Sequence, residues 1–196
     1  MSTAATRMPY HHGDARNALI RAAAELLETA GAAGLSLRRV AERAGLSRQA
    51  PYNHFADKEA LLAELVRDGF ERLGQDTAAA GRSDGEPVVR LQRAGEGYIA
   101  FAQGSPALFR LMFSKELVDL QRYPAAQAAA AASLAHLAGI IGVMASPDAV
   151  ADLTLVAWSI VHGYATLCLE ACLEGPERRQ ERAALFAGVI ALSAVR

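Results

Sequence analysis

Apolar positions along this chain recur at helical spacing and almost nowhere alternate as a strand would. Residues 19, 22, 23, 26, 27 and 30 fall on one face of a helix. Asp14 is placed to cap that helix, and Gly31 and Gly34 are placed to end it. A short second helix follows the capping residue Ser36 and carries Leu37, Val40, Ala41 and Ala44 before Gly45 breaks it. Ser47 is placed to cap a third short helix reaching to about His54. Asp57 opens a much longer one, with Leu61, Leu62, Leu65, Val66, Phe70 and Leu73 along one stripe, fading into Ala78–Ala80. The segment 81–87, GRSDGEP, reads as a linker, and Pro87 is suited to start a helix bearing Leu91, Tyr98, Ile99 and Ala102. Gly104-Ser105-Pro106 is a stop and a capped restart, and Ser146-Pro147 repeats the start signal. Gly175-Pro176 divides the last two helices, 147–174 and 177–195. With no internal repeat, the pattern predicts an all-α chain of about nine helices.

Composition supports this and adds a polarity. Of 196 residues 52% are hydrophobic but only 6% aromatic, and abundant Ala and Leu favour helices packed on helices. The net charge of −1 conceals an imbalance: +3 through Lys58 and −4 in the remainder. A basic first third on an acidic body suits a head that binds a polyanion. Cys168 and Cys172, four apart on an apolar helix, form no disulfide framework and fit a reducing cytoplasm as small core hydrophobes. The first ten residues lack the apolar core of a secretory signal. Two stretches, 125–145 (with Gln127 and His136) and 153–169 (with His162 at its middle), contain no Asp, Glu, Lys or Arg. They read as buried core helices, so no membrane is expected as a partner.

Chemistry concentrates in Leu37–His54, LRRVAERAGLSRQAPYNH. Small Ala41 followed four residues later by Gly45 is what two helices crossing steeply over a tight turn require. Val40, Ala44 and Leu46 point inward on the same scheme. Two readings fit: an ordinary pair of packed helices, or a DNA-reading helix-turn-helix whose second helix begins Arg-Gln and continues Tyr-Asn-His.

The wider context separates them. Tyr10–Leu73 resembles the DNA-binding domain of the TetR family of regulators. The matching points are Ala30-Gly31, Leu35-Ser36-Leu37, Val40-Ala41, Ala44-Gly45-Leu46-Ser47, Tyr52-x-His54-Phe55 and Asp57-Lys58-Glu59-Ala60-Leu61. Trp158-x-x-x-His162-Gly163, preceded by LFRLMFS at 108–114, resembles one ligand-binding subtype of that family. One residue departs from the pattern: Pro51 stands where a branched aliphatic is usual. At the end of a first turn it removes a hydrogen bond without breaking a helix interior, so a short or reoriented recognition helix is expected.

On this resemblance Arg48 and Gln49 meet base edges, where Arg matches guanine acceptors and Gln pairs with adenine. Ala50 is small enough for a thymine methyl, and Asn53 suits a base or a phosphate. Tyr52 and His54 occupy family positions that donate to phosphates, although each also suits a packed structural role. Ser36 and Lys58, each at a helix start, are placed at the DNA backbone. The arm Tyr10-His11-His12 is placed to brush DNA but reads first as a flexible tail.

In the body, Tyr98, Phe101, Phe109, Met112, Trp158 and His162 read by default as core. The resemblance instead implies a mostly apolar effector cavity, in which His162 orients a small molecule by one hydrogen bond. His162 with the two cysteines does not make a tetrahedral metal set, and no cofactor motif is present. Nor is there a nucleophile elbow or phosphate loop to favour an enzyme. An all-helical enzyme or a protein-binding adaptor are the rival readings.

The last two helices are apolar and rich in Ala, Gly and Ser. The resemblance implies that they pair between two chains, setting two heads over a near-palindromic double-stranded operator as a homodimer. The expected organisation is a helix-turn-helix domain at 10–57, a connecting helix 58–80 and a ligand-binding and dimerisation domain at 86–196. The expected function is transcriptional repression relieved by an effector.

Overall fold

The computed structural model describes residues 12–170 and 178–194. Cys172 and the Gly175-Pro176 break lie outside those residues, as do Tyr10 and His11. The described chain forms eight α-helices and three short 3-10 turns, with no strand.

Helix α1 spans His12–Gly34 and changes direction at Gly31, whose φ of 67° is a left-handed value open to glycine at no steric cost. Asp14 lies inside α1, two residues past its first, rather than ahead of it. Leu35, 2% exposed, plugs the core beyond the turn. Helix α2, Leu37–Arg43, starts at Ser36, whose Oγ accepts from the Arg39 amide at 3.3 Å. At its far end Gly45 takes φ 68° and the Leu46 amide donates to the Ala41 carbonyl at 2.9 Å. Ala41, wholly buried, is the small side chain this crossing needs.

Helix α3, Lys58–Arg82, is capped by Asp57, whose Oδ1 accepts from the Ala60 amide at 2.8 Å. Its 25 residues reach roughly 37 Å at 1.5 Å per residue, long enough to belong to both ends of the molecule. There follow α4, Pro87–Gly104, α5, Pro106–Met112, α6, Pro124–Ile141, α7, Val150–Leu169, and α8, Arg179–Ala194. Helix α3 packs along α6 and α4, and α4 in turn packs against α7 and α8.

Two apolar cores result. The larger begins in the head with Leu19, Ala23, Leu27, Val40, Phe55, Leu61 and Val66, and continues through α3 to Ile99, Phe109 and Met112. The smaller gathers Leu91, Ile140, Ile141, Leu153, Ala157 and Ile190 at the far end. Helices α6 and α7 differ from their sequence reading as buried core helices. Only 17% of α6 and 22% of the 147–169 stretch is buried within the chain. Alanine explains α6, since a helix of small side chains is apolar by composition without needing a buried face. Helix α7 is apolar on both sides and only one meets its own chain.

Candidate nucleic-acid interface and ligand cavity

The stretch from Ser47 to His54 is an exposed turn rather than the α-helix its cap signal predicts. Only Ala50–Asn53 is helical, and as a 3-10 turn. Pro51 is the reason. It has no N–H to donate back, and the amides around it close three-residue rings: Ala50 to Ser47 O at 3.0 Å and Tyr52 to Gln49 O at 3.2 Å. Pro51 is among the fully buried side chains, and Ala50 is 5% exposed. Those two residues thus anchor the turn on the head, Pro51 filling the place of a branched aliphatic. Ala50 faces the core, which corrects its assignment as a thymine contact.

What remains outward is Ser47, Arg48, Gln49, Tyr52 and Asn53, with His54 half-buried. Tyr52 is 55% exposed, unusual for an aromatic ring with an apolar core beside it. Arg48 makes no ion pair among the described residues, so its guanidinium keeps all its donors. The neighbouring cations differ. Arg43 holds Glu25 on α1 at 2.6 Å, Arg16 holds Glu64 on α3 at 2.7 Å, and Arg39 donates to the Gly34 carbonyl. These bonds brace the three head helices and leave Arg48 as the cation on the turn itself. Lys58 Nζ donates to the Ala32 carbonyl at 2.6 Å. One of its three donors is thus spent inside the head, with two left for a phosphate. Ser36 is exposed, its hydroxyl engaged in the cap.

In the body, a cavity of about 570 Å³ opens between α3, α4, α6, α7 and α8. That volume suits a drug-sized molecule. Its walls are apolar, drawn from both cores: Phe70, Leu73, Leu91, Val161, Ala187 and Ile190 among them. Polar side chains come chiefly from the segment after α5 and from α6: Ser114, Lys115, Asp119, Gln121, Gln127 and Ser133.

Of the six sequence candidates, Tyr98, Met112 and Trp158 line this cavity. Phe109 and His162 instead line a second pocket of about 170 Å³ with Arg110, Phe113 and Thr166. Phe101 lines neither. It is buried with the Arg72 guanidinium 5.2 Å from its ring centre. The helical period places a residue on a face but does not say which of two neighbouring spaces the face meets.

Tyr98, Trp158 and His162 form a hydrogen-bonded chain. The Trp158 indole donates to the Tyr98 hydroxyl at 3.3 Å, and that hydroxyl lies 2.7 Å from His162 Nδ1. With Trp158 already donating to that hydroxyl, the arrangement that also pairs the phenol proton has it donate to Nδ1, with the His162 proton on Nε2. His162 stacks on Phe109 at 5.3 Å between ring centres and meets the edge of Phe113 at 4.4 Å. Burial pushes the Tyr98 hydroxyl up and the His162 imidazolium down from their ordinary values, so both are neutral near pH 7. His162 lines the smaller pocket and not the large cavity, which argues against it as the ligand's hydrogen-bond partner there.

Sequence reasoning missed Phe113, Phe186 and Gln127 in these walls. Gln127 carried a signal as a polar residue in an alanine run, and Phe113 as part of the 108–114 stretch.

Comparison with known proteins joins the two ends of the molecule. The family of bacterial regulatory proteins of the tetR type matches residues 19–65, and the tetracyclin repressor-like C-terminal domain matches residues 91–192. The chain belongs to the TetR family. Its head is 52% identical over 51 residues to the class C tetracycline repressor protein of Escherichia coli, covering 26% of this chain and 23% of that one. A longer stretch of 103 residues is 27% identical to the HTH-type transcriptional activator FasR of Mycolicibacterium smegmatis, covering 53% and 47%. The chain thus spans a quarter to a half of these relatives' lengths. Whole-chain likeness is to solved structures. A protein of unknown function from Rhodococcus sp. RHA1 superposes with a TM-score of 0.83 at 29% identity, over 97% of this chain and 100% of that one. The TetR family transcriptional regulator PfmR of Thermus thermophilus gives 0.67 at 22% identity, over 89% and 97%, a likeness of fold. In this TetR-family chain the head is matched by a family model and by curated relatives, and the body by a family model and by whole-chain structures.

Proposed function

We propose that this TetR-family regulator is a cytoplasmic repressor that binds a near-palindromic DNA operator as a homodimer and is released by a predominantly apolar small molecule. The observation that carries the reading is the recognition turn. Two buried residues, Ala50 and Pro51, hold outward an unpaired Arg48 together with Gln49, Tyr52 and Asn53. Arg48 and Gln49 supply base-edge contacts, and Tyr52, His54, Ser36 and Lys58 supply backbone contacts. The functional division is a reading head through residue 57, a transmitting helix 58–80 and a sensing and pairing body from residue 86.

The partner for the body is a second copy. Leu155 on α7 and Leu185, Val189 and Leu192 on α8 are 57%, 54%, 46% and 75% exposed. A monomer gains nothing from a row of such side chains in water, and pairing α7 and α8 between two chains removes them from it. The same pairing fixes two heads at one separation, which a palindromic site requires. Effector binding in the 570 Å³ cavity shifts the walls that α3 shares with the head, and the heads lose register with successive major grooves.

Titration of a labelled duplex, followed by anisotropy at several salt concentrations, tests this. Two chains per duplex are expected, with affinity falling steeply as salt rises and lost in Leu155→Asp/Leu185→Asp chains. One chain per duplex, or salt-independent binding, contradicts it. A small molecule that occupies the cavity and leaves duplex affinity unchanged contradicts the release step.

A further inference from the structure

Two carboxylates, one on the head and one at the adjoining start of α3, reach across into the body, and both grip the same stretch of chain. Glu28, on α1, accepts from the amides of Ala107 and Leu108 at 3.1 and 3.0 Å, one on each carboxylate oxygen. Ser105 gives α5 no side-chain cap, so Glu28 supplies from another helix what the local sequence does not. Glu59, in the first turn of α3 beside the head core, accepts from the Asp119 amide at 3.2 Å and pairs with the Arg122 guanidinium. Between these grips lies the segment 105–122. It contributes Met112, Phe113, Val118 and Leu120 to the cavity wall. Its middle is also seated on α3: a Cβ placed on Gly69 would stand 2.6 Å from Met112 Sδ, so a larger residue there would displace the Met112 side chain.

We propose that Glu28 and Glu59 are the positioning residues that link cavity occupancy to DNA binding, by fixing the 105–122 wall to the reading head at both of its ends. The proposal rests on the cavity and head being the sites described above. A molecule that displaces Met112 and Phe113 must move the segment's ends or break these hydrogen bonds. Either way the strain reaches α1 and the start of α3. Glu28 is exposed, so it is not needed to fill the core; the Glu59 side chain, 24% exposed, is engaged by the Asp119 amide and Arg122. Their sequence partners are 60 to 80 residues distant, a span that carries the contact from head to body.

The two sites are linked reciprocally, which permits a test without the natural effector. The apolar dye 1-anilinonaphthalene-8-sulfonate serves as cavity probe, read by energy transfer from Trp158, the chain's single tryptophan, which stands in the cavity wall. Dye affinity is measured on the full chain with and without a saturating duplex selected for binding. In the wild type, duplex weakens dye binding by about fivefold or more, within the usual range of such couplings. In Glu28→Ala/Glu59→Ala the factor falls below twofold, while dye and duplex each bind the chain separately as before. Glu28→Gln, which keeps one acceptor oxygen, gives an intermediate factor. Should the double variant unfold, Glu28→Ala alone, at an exposed position, must still lower the factor. A merely structural role would lower the melting temperature and leave the factor unchanged, and that result overturns the proposal. Absence of duplex binding or of dye transfer in the wild type overturns instead the reading on which it rests.

Discussion

Tyr98→Phe isolates one oxygen atom and nothing else. That hydroxyl accepts from Trp158 Nε1 at 3.3 Å and meets His162 Nδ1 at 2.7 Å, while its ring packs edge-on to Phe109 at 5.7 Å between centres. The substitution keeps the ring and deletes both bonds. A hydrogen bond contributes about 0.5–1.5 kcal/mol net, and a group left buried without a partner costs about 1–3 kcal/mol. The 2.7 Å bond is the stronger of the two, and the 3.3 Å bond is near the limit of N–H···O geometry. Trp158 and His162 are both half-buried, so water partly replaces the lost partner and the lower half of each range applies. The expected loss is about 1.5 kcal/mol, or roughly 3–6 °C in melting temperature for a chain of this size. Denaturant unfolding with the m-value held constant measures it, and Trp158 emission reports the loss of its partner directly. Tyr98→Phe/His162→Phe should cost less than the sum of the two single changes, because they share one bond. A loss under about 0.3 kcal/mol, or strict additivity, would refute the account of the hydroxyl as a shared hub.

Other outcomes follow from the same geometry. Arg48→Ala should weaken operator binding by about 1–3 kcal/mol and relax base preference on one side of each half-site, as competition between related duplexes would show. Lys58→Ala should weaken all sequences alike and flatten the salt dependence; it should also lower the head's melting temperature, because the Ala32 carbonyl loses its 2.6 Å donor. Leu155→Asp with Leu185→Asp should shift the chain to monomers in sedimentation, with little loss of fold, since both residues are more than half exposed. Burial holds His162 below its ordinary value of 6.5, so the unfolded chain binds this proton more readily than the folded one. Stability from this group is therefore complete above about pH 6.5 and falls as pH drops from there towards the lower folded value. His162→Gln should flatten that acid slope, and an unchanged slope would place the titration elsewhere.

Legibility in the sequence differed between local and non-local features. Caps were readable because they act within four residues: Ser36 and Asp57 accept from the amides at Arg39 and Ala60, as their spacing suggests. The glycines at 31 and 45 likewise announced turns that need positive φ. At the recognition segment the Ser47 cap signal promised a helix, which Pro51 was expected to shorten or reorient. Pro51 and its burial overrode it, leaving a 3-10 turn from Ala50 to Asn53. In the body, helical spacing placed Tyr98 and Trp158 on inward faces but could not separate two pockets that share Phe113. Glu28 carried no signal at all. A carboxylate on an exposed helix face looks solvated until the fold brings the open amides of Ala107 and Leu108 to it. Such contacts depend on where α5 lands, and one sequence does not encode that in any short-range pattern.

The central claim is that two copies of the Ser47–Asn53 turn read DNA at a separation set by α7 and α8. Selection of bound sequences from a random duplex pool tests it most directly. Two inverted half-sites should be enriched, their centres about 34–36 Å apart, one helical turn, or a multiple of it, with the enrichment lost in Arg48→Ala/Gln49→Ala. A single unsymmetrical motif, or a pool no different from the starting one, would contradict it.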